Sequence, residues 1–334
     1  MRNRNRSKTS VDKEKAPQRL SILRRGLQRI GPFPIAILAF VVLVGILQPR
    51  FLTWTNLQNL FRQIPFLALL SLGAMLPLLA EGFDLSPGGT VGLVSVVCVM
   101  VGKSFGITSG IMAGLAVGGL FGLINGFFIS CKYRLNPFVV TLGTMYAAQG
   151  ISLYITNGVP VYGIPREFTF IGAGTLGQIP VSILITVVFY VFFHVLLTRT
   201  YFGRVIYAIG GNEVAAVQSG INARLYRTLV YVVCGLMTGV GAVVLTSRVM
   251  SGEPTMGYQS SLQAIAAVLI GGVSLSGGEG TVINVVFGVV LLALLSNSLN
   301  LLGVSSYIQT ITIGCVIILA VLFDRYRRTI AGLE

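Results

Sequence analysis

The sequence has 334 residues, 54% hydrophobic and only 10% charged, with a mean hydropathy of +0.84. Soluble domains carry roughly a quarter charged residues, so this composition excludes a soluble globular fold and predicts an integral membrane protein. The net charge of +14 does not indicate nucleic acid: ten of the 24 Lys and Arg fall in residues 1–30 with no aromatic residue among them, a pattern that fits membrane topology and anionic lipid.

Repeated apolar runs of ~20 residues fit helices, and polar-alternating strands of ~10 residues are not seen. The expected fold is therefore all-α, a polytopic membrane helix bundle of about ten transmembrane helices. Residues 1–30 read as a basic cytoplasmic tail and residues 31–334 as the transmembrane domain. Gly31-Pro32 opens a first span that runs to about Leu47. Residues 53–61 read as an interfacial helix with Trp54 at headgroup depth, and the chain re-enters at Ile64. A second span, 65–80, runs into Glu81-Gly82-Phe83-Asp84-Leu85-Ser86-Pro87-Gly88-Gly89, where two carboxylates and a glycine-rich break between apolar runs point to broken helices. Spans at 90–101, 111–130 and 136–154 follow, then a polar external loop, 156–178, and a sixth span, 179–197. The seventh span, 228–245, ends in an outer turn at 251–254. An eighth apolar run, 262–270, stops at the glycine-rich stretch 271–280, and the last spans cover 281–295 and 309–323.

Charge orients this path. With both termini inside, 19 Lys and Arg are cytoplasmic and five (Arg50, Arg62, Lys103, Arg166 and Arg248) are external, a strong positive-inside bias. One internal echo is present: Gly82-x-x-Leu85-Ser86-x-Gly88 recurs as Gly272-x-x-Leu275-Ser276-x-Gly278. Both copies fall where an apolar run breaks; an ancient repeat and coincidence in a glycine-rich chain account for it equally.

Residues 200–227 form the one sizeable interior segment that water must solvate. Gly210-Gly211 reads as a backbone break, with Gly211 expected to need positive φ. Asn212 is a good N-cap, and residues 213–218 read as a short helix that stops at Gly220. Ala215, Ala216 and Gly220 offer a shallow face on which another protein can pack closely, and Arg204, Arg224 and Arg227 place the segment in the cytoplasm.

Its run GRVIYAIGGNEVAAVQSGI resembles the cytoplasmic coupling loop of the sugar permeases of ATP-binding cassette (ABC) importers, the carbohydrate-uptake branch typified by ribose permease, within the branched-chain amino acid/monosaccharide permease family. EGFDLSPGGTVG from Glu81, LQAIAAVLIGGVSLSGGEGT from Leu262 and NSLNLLGVSSYIQTITIGCVIILAVLFD from Asn297 are similar to the same family, and the likeness runs from about residue 51 to 324. In that family the first stretch usually reads GGIDLSVG; Asp84 and Ser86 match, whereas Glu81 and Pro87 depart. The resemblance implies a type II ABC importer-like bundle in a bacterial inner membrane. It also implies ATPase subunits docked on Gly203, Arg204, Gly210, Gly211, Asn212, Glu213, Ala215, Ala216, Gly220 and Ile221. A second permease copy or paralogue, a periplasmic or lipid-anchored sugar-binding protein and a monosaccharide cargo complete the expected partners, and no cofactor is expected beyond the ATP used by the ATPase.

Asp84 and Ser86 are candidates for the substrate pathway because ionisable groups within a bilayer are functional by default, although Asp84 equally fits a helix cap. Gln263, Asn297 and Asn300, with Gln309, are uncharged amides that suit sugar hydroxyls and interhelical hydrogen bonds alike. Glu81 with Asp84 would serve the alternative reading, an ion-coupled secondary transporter. His194 has no second ligand at i±3 or i±4, and Cys98, Cys131, Cys234 and Cys315 form no CxxC pair, so no metal site is expected. Gly102-Lys103-Ser104 lacks the earlier glycine of a phosphate-binding loop, and no catalytic motif is present, so the chain is not expected to be an enzyme.

Overall fold

A computed structural model describes residues 33–331, so the expected tail, residues 1–30, lies outside the described residues. Thirteen helices are seen among them: α1 (Phe33–Leu47), α2 (Trp54–Leu79), α3 (Pro87–Phe105), α4 (Ile107–Ser130), α5 (Pro137–Thr156), the single turn α6 (Thr169–Gly172), α7 (Val181–Arg199), α8 (Tyr201–Gly211), α9 (Glu213–Gln218), α10 (Ala223–Val249), α11 (Ser260–Ile270), α12 (Val282–Leu301) and α13 (Ser306–Ala331). A two-stranded hairpin pairs β1 (Thr175–Leu176) with β2 (Ile179–Pro180). Helices α2, α3, α4, α5, α7, α10 and α12 are long and apolar enough to cross a membrane. Three shorter apolar stretches, Ile37–Leu47, Ser260–Ile270 and Ser306–Leu319, join them. The chain is a polytopic membrane helix bundle; seven of the ten expected spans are helices long enough to cross, and the three shorter stretches fall at the other three.

Local chemistry sets the helix starts. Thr53, Asn136, Thr200, Asn212, Asn222 and Thr281 each accept a backbone N–H from the first turn of the helix that follows, which satisfies a donor the helix leaves orphaned. Glycines then set the packing. Gly118, Gly122 and Gly126 recur every fourth residue on α4, and a Cβ on Gly118 or Gly122 would fall 2.4 or 2.3 Å from Gly235 O or Tyr231 O of α10. Only a side chain of one hydrogen allows backbones to meet this closely, the usual device where lipid supplies no hydrophobic drive between helices.

Antiparallel packing of α2 against α10 fixes the two ends of the bundle: Gly73 lies at Cys234 and Gly241 at Leu69 and Leu70. One end carries residues 80–86, 200–222 and 271–281; the other carries 157–180 and the junctions at 48–53 and 302–305.

Two expectations change. Residues 53–61 are not a separate interfacial helix; they form the first turns of α2, which continues through Pro65 to Leu79. Their polarity has an internal cause: Asn56 exchanges two 2.9 Å hydrogen bonds with Asn297 of α12, and Asn59 lines a cavity together with the following Arg62 and Gln63. The segment 251–254 is also more than a turn. Gly252 sits against Ser95 and Val96, Pro254 against Gly92, and Tyr258 against Gly88, so non-helical backbone descends about 12 Å along α3 before α11 begins. Such backbone is tolerated inside a membrane domain when protein buries it, and Ser95 Oγ accepts from Glu253 N at 3.2 Å. Helix α11, with 11 residues, is a half-span of about 16 Å that starts deep in the bundle.

Candidate functional site

Two places draw the chemistry together. The first is a cavity of about 500 Å³ between α2, α10, α11 and α12 at the 157–180 end. Asn59, Arg62 and Gln63 of α2, Arg248 of α10, Gln263 of α11 and Ser296 of α12 supply its polar lining, with Ile64, Phe66, Leu67, Ala173 and Ala293 between them. Asn59 and Gln63 are exposed at the rim. Gln263 reaches the cavity because the non-helical descent starts α11 so far inside the bundle. The lumen stops near Leu67, and residues 68–80 of α2 below it are all buried. Leu67 stands 12 residues from Leu79, about 18 Å along the axis, so the cavity opens at one end only. Amides donate and accept, the hydroxyl does both, and the guanidinium groups donate, a set that matches the hydroxyls of a small polar solute.

Of the pathway candidates, only Gln263 lines this cavity. Asn297 is buried in its pair with Asn56, whose Nδ2 also donates to Phe51 O at 2.8 Å, so it ties α2 to α12. Asn300 lies at the helix end and accepts from Gln309 Nε2 at 2.9 Å. Asp84 is 3% exposed and sits in the 80–86 turn, where Oδ1 accepts from Ser86 N at 2.9 Å. Its second oxygen is buried without a hydrogen bond of regular geometry, with Cys234 beside it. Ser86 Oγ accepts from Asn125 Nδ2 at 2.9 Å, and Thr144 Oγ1 donates to Asn125 Oδ1 at 2.6 Å. Asp84 and Ser86 thus organise the entry to α3, away from the cavity; a carboxylate accepting from the N–H two residues on is a turn-forming contact. Glu81 is exposed with φ +58°. His194 is exposed on α7, and no cluster of three metal-binding side chains occurs among the described residues.

Arg62, Arg248, Asn59, Gln63 and Ser296 were not among the sequence candidates. Arg62 and Arg248 are expected outside the spans, yet each lies within a helix long and apolar enough to cross a membrane, because α2 starts earlier and α10 ends later than the apolar runs indicate.

The second place is the segment 200–222. Asn212 caps α9 as expected, accepting from Ala215 N at 2.9 Å. Gly210 and Gly211 do not break the chain; they are the last residues of α8, and Gly211 is not a positive-φ residue. Gly210 is the constrained one: a Cβ there would lie 1.8 Å from Leu79 O and 2.5 Å from Gly278 N. The positive φ falls on Gly220, at +84°. Ala216 is 4% exposed and packs inward on Val205, Ile209, Ala223 and Ile221, so it is not part of an outer docking face. Gly203 is likewise internal, its Cβ position 2.2 Å from Leu197 O. Outward stand Arg204, Gly211, Asn212, Ala215 and Gly220, together with Val214 and Val217, which sequence reasoning passed over. Glu213 holds α9 in place through Arg227 at 3.1 Å and Arg134 at 3.4 Å.

The segment connects directly to the break loops. Gly278 N donates to Leu79 O at 3.0 Å, Tyr207 Oη donates to Gly280 O at 2.7 Å, and Gly277 lies against Glu81. The second sequence echo therefore meets the turn just before the first one, against α8.

Residues 56–321 match the family described as branched-chain amino acid transport system / permease component. The chain belongs to this permease family. The permease is 40% identical over 302 residues to the ribose import permease protein RbsC of Bacillus subtilis, covering 90% of this chain and 93% of that protein. It is 36% identical to the D-allose transport system permease protein AlsC of Escherichia coli, covering 86% and 90%. Identity to the L-arabinose ABC transporter permease protein AraH of Azospirillum brasilense is 33%, covering 97% and 95%. No solved structure matches the permease.

Proposed function

We propose that this permease forms the membrane path of an ABC importer for a monosaccharide. A sugar cannot cross lipid unaided, since each hydroxyl stripped of water without a partner costs several kcal/mol, roughly 2–7. The observation that carries the reading is the polar cavity, lined by amides and a hydroxyl, open at one end and closed toward segment 200–222. A sugar-binding protein in the periplasm or anchored in lipid delivers the cargo at the open end, which is external. ATPase subunits dock at the other end, in the cytoplasm, on the outer face of α9: Val214, Ala215, Val217 and Gly220. A second permease copy or paralogue completes the path, both termini lie in the cytosol, and the assembly sits in a bacterial inner membrane. Hydrolysis belongs to the ATPase, and this chain itself is not an enzyme.

The packing supplies a transmission. Closure of the ATPase pushes α8, whose Gly210 is wedged against Leu79 of α2 and Gly278 of the loop between α11 and α12. Helices α2, α11 and α12 bear most of the cavity lining, so the push reaches the path without a hinge in the loop itself.

Uptake into vesicles holding the assembled importer tests this, with ATP supplied and no ion gradient. Accumulation of sugar is expected; uptake that requires a proton or sodium gradient and ignores ATP would replace this reading with an ion-coupled carrier. A thiol placed at Asn157 should label from outside and one at Asn222 only from inside.

A further inference from the structure

The cavity is not neutral. Arg62 and Arg248 both line it, and no carboxylate is among its lining residues. Both ion pairs seen among the described residues use Glu213, at the far end of the bundle. Arg248 Nη1 donates to the backbone carbonyl of Arg62 at 2.7 Å, so the two residues are tied together and two cations share one cavity wall. Arg62 Nε is buried and has no hydrogen-bond partner. Two partly buried cations without a counter-charge are unfavourable to each other and to burial. Arginine also differs from the other lining groups in having donors only, set in a planar fork that matches a carboxylate or phosphate oxygen pair. A neutral sugar satisfies the amides and leaves that fork and the charge uncompensated; a sugar bearing an acidic group satisfies both.

We infer that the solute of this path is a monosaccharide carrying an anionic group, a sugar carboxylate or sugar phosphate, whose charge is received by Arg62 with Arg248 and whose hydroxyls meet Gln63, Gln263 and Ser296. The inference rests on the reading of the cavity as the solute path. The fork of Arg62 is the discriminating element, because the Arg248 bond uses the backbone of residue 62 and survives a change of its side chain.

The test uses the full-length permease in membrane vesicles with Cys131→Ser and Cys315→Ser, which remove the two cysteines that are not buried, and Ala293→Cys as a reporter in the cavity wall. Labelling of the introduced cysteine at position 293 by a thiol reagent is measured with ribose, ribonate or ribose 5-phosphate over matched concentration ranges, with sodium chloride holding ionic strength constant. The expected result is protection by ribonate, ribose 5-phosphate or both at concentrations about 10-fold or more below those of ribose, the effect of one charge-assisted pair. Whichever of the two protects identifies the acidic group. Arg62→Gln should erase the difference, so that the charged sugars protect that variant no better than ribose protects the same variant. Equal protection by ribose and the charged sugars, or a preference that survives Arg62→Gln, overturns the inference and leaves the sugar path standing. No protection by any of the three overturns both.

Discussion

A methyl group at Gly210 tests whether the docking segment is wedged into the bundle. In Gly210→Ala the new Cβ stands 1.8 Å from Leu79 O, and ordinary contact begins at 3.4 Å, so α8 must retreat from α2 by about 1.6 Å, the difference between these distances. Both neighbours are backbone atoms, Leu79 O and Gly278 N, and cannot rotate away. Overpacking of this kind costs about 1–3 kcal/mol, and disturbing the 3.0 Å bond between Gly278 N and Leu79 O adds about 1 kcal/mol. Replacing a helical glycine by alanine returns up to about 1 kcal/mol, which leaves a net loss of about 1–3 kcal/mol. The neighbouring Gly211→Ala is the control: its Cβ meets nothing within 4 Å, so only the helical gain remains. Thermal unfolding of the two purified variants in detergent should therefore separate them by about 2–4 kcal/mol, with Gly210→Ala below the parent and Gly211→Ala at or above it. Equal midpoints, or Gly211→Ala as the weaker, would show that α8 is not seated on Leu79 and Gly278 and would remove the proposed transmission.

Ala216→Trp should disrupt the small core of Val205, Ile209 and Ala223 and lower stability, whereas Val217→Asp, on the exposed face of α9, should leave the unfolding midpoint within about 0.5 kcal/mol of the parent and abolish co-purification with the ATPase; a Val217→Asp protein that still binds it would place docking elsewhere. Asn297→Leu leaves Asn56 Oδ1 buried without a donor and should destabilise by about 1–3 kcal/mol, while adding Asn56→Leu should recover part of that loss; an additive double variant in thermal unfolding would show that the pair is not coupled.

Helices and their approximate number were legible because in lipid the chain must satisfy its own backbone, so apolar length alone marks a span, and the family was legible only through the four motifs that resemble it. The short helix at 213–218 was legible for a local reason: an asparagine cap acts within three residues. Misreadings arose where a residue's role depends on a partner far along the chain. Asn56 reads as interfacial and Arg62 as external because polarity near a span end usually means water, yet one meets Asn297 and the other a cavity wall. Ala216 looked like a docking surface because a small residue fits a close contact on either face of a helix, and only the packing of α8 and α10 shows which face is covered.

The sequence by itself determined what one stretch of backbone settles within a few residues: spans from hydrophobic length, helix starts from caps, and the basic character of segment 200–227 from its arginines. The tertiary structure alone decided which polar groups converge. The cavity draws on residues as far apart as Asn59 and Ser296, and Gln263 joins it only because backbone after residue 251 runs about 12 Å along α3 before coiling. Gly210 and Gly211 are adjacent and identical in composition, and only the approach of Leu79 and Gly278 makes one indispensable and the other free. Helical periodicity records that a face exists; what lies against it is set by segments far along the chain, as Leu79 and Gly278 are from Gly210, and that information is nowhere local.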